Sequence, residues 1–182
     1  MNFLKAIFIV NSAGWANILN SSFIINKGRV IMQEHNLTKT LLAGIIATVA
    51  MTVLTFVAPM MGMPEMDIPR MLSSFMGMPV VAGWLAHFMI GTGFAVAYAY
   101  ILVSRIPGSP FVKGAMFGLV PWVLAQVMVN PIMGAGVFAL STPAPMLMVV
   151  GSLMGHVVYG GVLGAVYGSS GLKKSIPVPQ HN

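Results

Sequence analysis

The chain contains no cysteine, and only three of its 182 residues are acidic: Glu34, Glu65 and Asp67. The missing thiols exclude disulfides, iron–sulfur clusters and thiolate metal sites. Charged residues of both signs make up just 7%, against about 25% in an ordinary soluble domain. So few polar groups cannot clothe a globular surface of this size, and the solvent of most of the chain is therefore lipid. The nine basic residues give a net charge of +6, but they are scattered and flank apolar runs. That is a pattern of membrane topology and not of nucleic-acid binding. Catalytic constellations are missing too. The spans hold no acid pair and no His-x-x-x-His spacing for zinc, and nothing resembles a Ser/His/Asp or P-loop site. "GTGFAV" follows no strand and is no dinucleotide fingerprint. An enzyme is not indicated.

What is present is apolar: 57% of residues are hydrophobic. Four runs are long enough to cross a hydrocarbon core, at roughly 40–61, 79–104, 114–133 and 148–169. A spanning segment must satisfy its backbone internally, and none of the runs has the dyad alternation of a β-barrel, so each is read as a helix. The predicted fold class is all-α integral membrane, with four transmembrane helices. Lys27, Arg29 and Lys39 precede the first run, Arg105 and Lys113 lie between the second and third, and Lys173 and Lys174 follow the fourth. The other two connections hold one cation, Arg70. The positive-inside rule then places both termini in the cytoplasm of a multi-pass protein, with His35 and His181 solvated in polar segments.

Residues 1–31 fit this scheme poorly. "MNFLKAIFIV" is too short to span and marginal as a signal peptide, and the stretch after it has no sustained period. One expectation is that Met32, which opens the polar lead-in "MQEHNLTKT", is the true start. The other is an interfacial or disordered arm. The segmentation is an arm over 1–38, a helix pair over 39–104, a second pair over 105–169 and a cytoplasmic tail over 170–182.

The two pairs look alike. Setting "GWLAHFMIGTGFAVAY" (83–98) over "SLMGHVVYGGVLGAVY" (152–167) aligns His87 with His156, Gly91 with Gly160 and Tyr98 with Tyr167. Histidine, glycine four later and tyrosine eleven later share one helical stripe. "PMMG" (59–62) also matches "PIMG" (131–134) at the ends of the preceding runs. The expectation is two parallel helix-pair repeats related by a pseudo-two-fold axis along the membrane normal.

His87 and His156 each fall about eight residues inside the outer end of their span, at about 1.5 Å per residue. Gln126 and Asn130 share a face near the same end of the third span, as do Thr52 and Thr55 in the first. Lipid offers these groups no partner, so they are expected to point inward as one polar layer. Three uses are open. The layer can simply lock the bundle. It can hold one haem b between His87 and His156, with Gly91 and Gly160 admitting the porphyrin and Arg70 meeting a propionate, as in a redox or sensing subunit. It can serve a proton or small-solute pathway.

Seven of the 17 methionines fall between residues 60 and 78. Thioethers favour Cu(I), and M-x-M occurs at Met61/Met63 and at Met76/Met78, so a copper site or copper transport is one reading. Gap-filling on a short amphipathic or re-entrant segment is the other. Prolines at 64, 69 and 79 cut this stretch into short pieces.

With these residues in view, "APMMGMPEMDIPRML", "GWLAHFMIGTGFAVAYA", "KGAMFGLVPWVLAQ", "PIMGAGVF" and "GSLMGHVVYG" resemble a family of small, uncharacterised bacterial membrane proteins, a domain of unknown function. The resemblance covers about residues 40–169. It implies a bacterial inner membrane and carries no activity. The lipid bilayer is the one expected partner that composition demands. Faces rich in Gly and Ala also suit a homo-oligomer or a larger membrane complex.

Overall fold

The computed structural model describes residues 21–26, 29–34, 36–169 and 174–177, with side chains over 36–168. The chain divides into a helical unit, Leu37–Ser169, and a second unit formed by the terminal segments.

The helical unit opens with α1 (Leu37–Val57), which tightens into a 3₁₀ turn, Ala58–Met61. A short α2 (Ile68–Met76) follows, then α3 (Val80–Ala97), which ends in a π-helical turn, Tyr98–Leu102. Next, α4 (Pro110–Leu124) runs into a second π turn, Ala125–Val129, and a last piece, Asn130–Ile132. The long α5 (Pro145–Ser169) closes the unit. Four stretches are long and apolar enough to cross a membrane: Leu37–Met61, Val80–Leu102, Pro110–Ile132 and Pro145–Gly168. The third and fourth begin three or four residues earlier than hydropathy alone suggests. Pro110 and Pro145 occupy first-turn positions, where a missing N–H costs nothing, and Ser109 caps the third by accepting from Val112 N at 3.5 Å.

The four long helices run up and down. Residues 37 and 169 therefore lie at one end, called proximal here, and the 58–79 and 133–144 connections lie at the distal end. Around the bundle the order is α3, α1, α5, α4, from the neighbours each helix keeps. Small residues set these contacts. On α1, Ala43, Gly44, Ala47 and Thr48 form a buried stripe at three- and four-residue spacing. A Cβ built on Gly91 of α3 would collide with Thr48. The α4–α5 seam is tighter. Gly114 and Gly118 on α4 lie against Gly160, Gly164 and the His156 carbonyl of α5, leaving no room for a side chain. Without a hydrophobic force between helices in lipid, such close backbone approach supplies the dispersion that holds them together.

In contrast, α3 and α4 pack sparsely, with aromatic contacts toward the proximal end. There Phe117 lies 6.5 Å from Phe94 and 5.2 Å from Tyr98, centroid to centroid. Tyr98 also stands edge-on to Tyr167 at 5.9 Å, and all three of Tyr98, Phe117 and Tyr167 are buried.

The methionine-rich connection contains the short helix α2. Asp67 caps α2 by accepting from Arg70 N at 3.0 Å, and Gly77 ends it at φ 63°. Gly83 of α3 lets Pro69 of α2 pack against its backbone. In the second distal connection Phe138 and Ala139 both have positive φ, 50° and 55°, an uncommon state for non-glycine residues.

In the terminal unit the backbone forms three antiparallel strands, β1 (Ser21–Asn26), β2 (Arg29–Glu34) and β3 (Lys174–Pro177), in the order β1-β2-β3. The all-α expectation therefore describes Leu37–Ser169 and not these segments. Asn26 of β1 is in register with Arg29 of β2, and Arg29 with Pro177 of β3. The expectations for the chain before Ser21, for His35 and for His181 lie outside the described residues.

Candidate functional site

The distal half of the bundle contains a partly open cavity of about 200 Å³. Its walls come from all four long helices. Thr48, Met51 and Thr55 stand on α1, His87, Ile90 and Gly91 on α3, Leu124, Ala125 and Asn130 on the α4 side, and Ser152, Gly155 and His156 on α5. Phe94 and Tyr159 close it proximally. Met66, Met71 and Leu72 of the α2 segment cover it distally, with Met133. Both span histidines thus face one space, and Asn130 joins them there.

Two hydrogen-bonded clusters hold the polar groups in place. In the first, the α1 threonines bond back to their own helix. Thr48 donates to Gly44 O at 2.8 Å, Thr52 to Thr48 O at 2.7 Å and Thr55 to Thr52 O at 2.8 Å. This is how a hydroxyl is satisfied inside an apolar helix. With its one proton so used, Thr52 Oγ1 can only accept from His87 Nε2, 3.0 Å away. His87 is therefore the Nε2–H tautomer, and its Nδ1 is a bare acceptor. Trp84 and Phe88 flank the ring edge-on at 6.5 and 5.9 Å.

The second cluster joins α4 to α5. Asn130 Nδ2 donates to Gln126 Oε1 at 3.0 Å, and Gln126 Nε2 donates to Ser152 Oγ at 3.1 Å. His156 Nδ1 lies 2.8 Å from Ser152 O. A carbonyl only accepts, so Nδ1 carries the proton and Nε2 is bare. Gln126 is 1% exposed, and the π turn that contains it begins four residues after Pro121. A π turn shifts the side-chain register of a helix. Among the described residues, the clusters have no hydrogen-bond partner in common: Thr48, Thr52, Thr55 and His87 bond among themselves and to Gly44, and Gln126, Asn130, Ser152 and His156 among themselves. They meet only through the cavity.

Both histidine rings line that cavity. Among the described residues, Trp122 Nε1 is the one buried side-chain polar atom without a partner, so neither imidazole nitrogen is sealed in protein. Beneath them the Tyr159 hydroxyl donates to Gly91 O at 2.5 Å, tying α5 to α3 across the bundle.

The residues singled out in the sequence divide. His87, His156, Gly91, Thr55 and Asn130 line the cavity, with Thr52 and Gln126 directly behind them. Gly160 does not line it and is consumed in the α4–α5 seam. Arg70 stands on the exposed side of α2, 3.3 Å from Asp67 Oδ2, and lines a separate open groove with Glu65. The residues do not fit a bis-histidine haem. Gly91 abuts Thr48 instead of making room, Nε2 of His87 is already bonded, and about 200 Å³ suits one ring (a cavity of ~150 Å³ holds benzene) and not a porphyrin. The copper set divides as well. Met61 and Met63 border a cavity of about 140 Å³ with Met66 and Met154, whereas Met76 and Met78 are exposed at the far end of α2. Hydropathy pointed to none of Ser152, Tyr159, Met66 or Met154. The G-x-x-x-G spacings at 114/118 and 160/164 were visible signals for the seam.

The Family of unknown function DUF6789 matches residues 35–177. The chain belongs to that family. No curated protein and no solved structure matches it. For this member of the family, the matched span takes in the whole helical unit.

Proposed function

We propose that this protein holds a small, mainly apolar molecule that donates hydrogen bonds, in the distal half of a bundle set in the bacterial inner membrane. One observation carries the reading. His87 and His156, on different helices, line one cavity, and His87 Nδ1 and His156 Nε2 have no protein partner there. A bundle that used its histidines only for cohesion would bury both nitrogens of each ring against protein. Here each ring spends one nitrogen on its support and keeps one for a guest. The basic residues flanking the proximal ends favour cytoplasmic termini, so the cavity lies on the outer side.

The pseudo-two-fold repeat belongs to the same reading. Gly91 seats α1 against α3 and Gly160 seats α4 against α5, so each glycine joins the two spans of its own pair. Tyr98 and Tyr167 meet at 5.9 Å, as residues near such an axis do.

The test uses phenol and anisole, two ring-sized molecules of which only phenol donates. Purified protein in detergent is titrated with each, and the emission of Trp84, beside His87, is followed. Phenol is expected to saturate at concentrations at least tenfold below anisole, because an acceptor site rejects an analogue that cannot donate. Equal response to both overturns the reading.

A second reading is Cu(I) bound near the outer surface. It is favoured by the thioethers of Met61, Met63, Met66 and Met154 around one small cavity, since soft ligands select that ion.

A further inference from the structure

The cavity is not closed on its α3–α4 side. Three of its lining residues are also on the outside of the bundle: Ile90 on α3 is 48% exposed, and Leu124 and Val129 on the α4 side are 39% and 42% exposed. A residue that both lines a cavity and faces outward marks its mouth. The mouth lies within the spans Val80–Leu102 and Pro110–Ile132, so what stands outside it is hydrocarbon. The packing explains the gap. The α4–α5 and α1–α3 seams are zipped by small residues, while α3 and α4 pack sparsely, with aromatic contacts of Phe117 to Phe94 and Tyr98.

We infer that the guest enters sideways from the bilayer, between Ile90 of α3 and Leu124 and Val129 of α4, and is a lipid-dissolved phenol-class amphiphile. Its ring-sized hydroxylated head reaches His87 and His156, and its apolar tail stays in the cleft and the surrounding lipid. This rests on the proposed function and adds the route and the shape of the ligand. The head must donate, because both imidazoles offer acceptors. It must be small, because the cavity is about 200 Å³. The tail follows from the mouth: a solute arriving from water would meet the Met71 and Met133 side chains, which line both the cavity and the polar groove with Glu65 and Arg70 above it. The lateral mouth has an apolar rim and no such cover.

The experiment uses the full chain in lipid nanodiscs. A photoreactive alkylphenol is dissolved in the lipid, and its adducts are mapped by peptide mass spectrometry. Saturable adducts are expected on α3 and α4 around Ile90 and Leu124. Unlabelled alkylphenol should suppress them at least tenfold more effectively than its methyl ether. The double variant Ile90→Trp/Leu124→Trp, which fills the rim, should cut labelling at least tenfold. Equal competition by the methyl ether overturns the inference, as does undiminished labelling of the tryptophan variant. If water-added phenol binds the wild-type chain while the lipid-dissolved alkylphenol does not, lateral entry fails and the proposed function stands. If neither binds, both fall.

Discussion

Thr52 accepts the Nε2–H of His87 at 3.0 Å while giving its own proton to Thr48 O at 2.7 Å. This pair sets which histidine nitrogen faces the cavity. Thr52→Val keeps the shape and removes the acceptor, leaving a buried N–H unpaired. The expected cost is about 1 kcal/mol, in the range measured for hydrogen bonds between membrane helices. Thr52→Ser should recover most of it. Unfolding of both variants in mixed micelles checks this, and a Thr52→Val variant as stable as wild type would remove the structural role assigned to the bond.

The imidazoles should act as a unit on a shared guest. For phenol binding, His87→Ala and His156→Ala are each expected to lose nearly as much affinity as the double variant, because coupled sites are not additive. Losses that simply add would mean that each ring serves its own helix alone.

The glycine seam can be separated from glycine content in general. A Cβ at Gly160 would strike the backbone of Gly114, whereas Gly93 has nothing within 4 Å of its Cβ position. Gly160→Ala should destabilise the bundle by about 1–3 kcal/mol, as overpacking does. Gly93→Ala should stay within about 0.5 kcal/mol of wild type. The same micelle unfolding assay reads both, and a tolerant Gly160 would mean that α4 and α5 part more readily than their contact suggests.

Orientation can be read with single cysteines, because the native chain has none. Ser73 is buried against α3, but Ser74 and Ser109 are exposed, in the distal and proximal connections respectively. With cytoplasmic termini, an impermeant thiol reagent should label Ser74→Cys in intact cells and spare Ser109→Cys. The reverse pattern inverts the topology and moves the cavity to the cytoplasmic side.

Copper uptake should follow geometry and not the M-x-M pattern. Replacing Met61, Met63, Met66 and Met154 by leucine is expected to abolish Cu(I) retention by the purified protein, while Met76→Leu/Met78→Leu leaves it intact. Retention unchanged in the fourfold variant would leave these methionines as packing.

Much of this protein follows from composition and period alone. A chain that is 57% hydrophobic and 7% charged must fold in lipid, and lipid forces each long apolar run into a helix that satisfies its own backbone. The inward turn of His87, His156 and Asn130 follows equally from the cost of polar groups in hydrocarbon. Partnership does not follow. Gly91 and Gly160 look identical along the chain and both seat a neighbouring helix, yet only Gly91 also borders the cavity, because what a glycine faces depends on which helix arrives opposite it. Met66 and Met154 lie 88 residues apart and share a cavity that no local spacing announces. The bare nitrogens are furthest from the sequence. They depend on Thr52 having spent its proton on Thr48 and on Ser152 O lying one turn before His156, and the opening beside them depends on how sparsely α3 and α4 pack. Helix formation in lipid is a local requirement of the backbone. Which faces close and which stay open is settled by side chains meeting across the bundle.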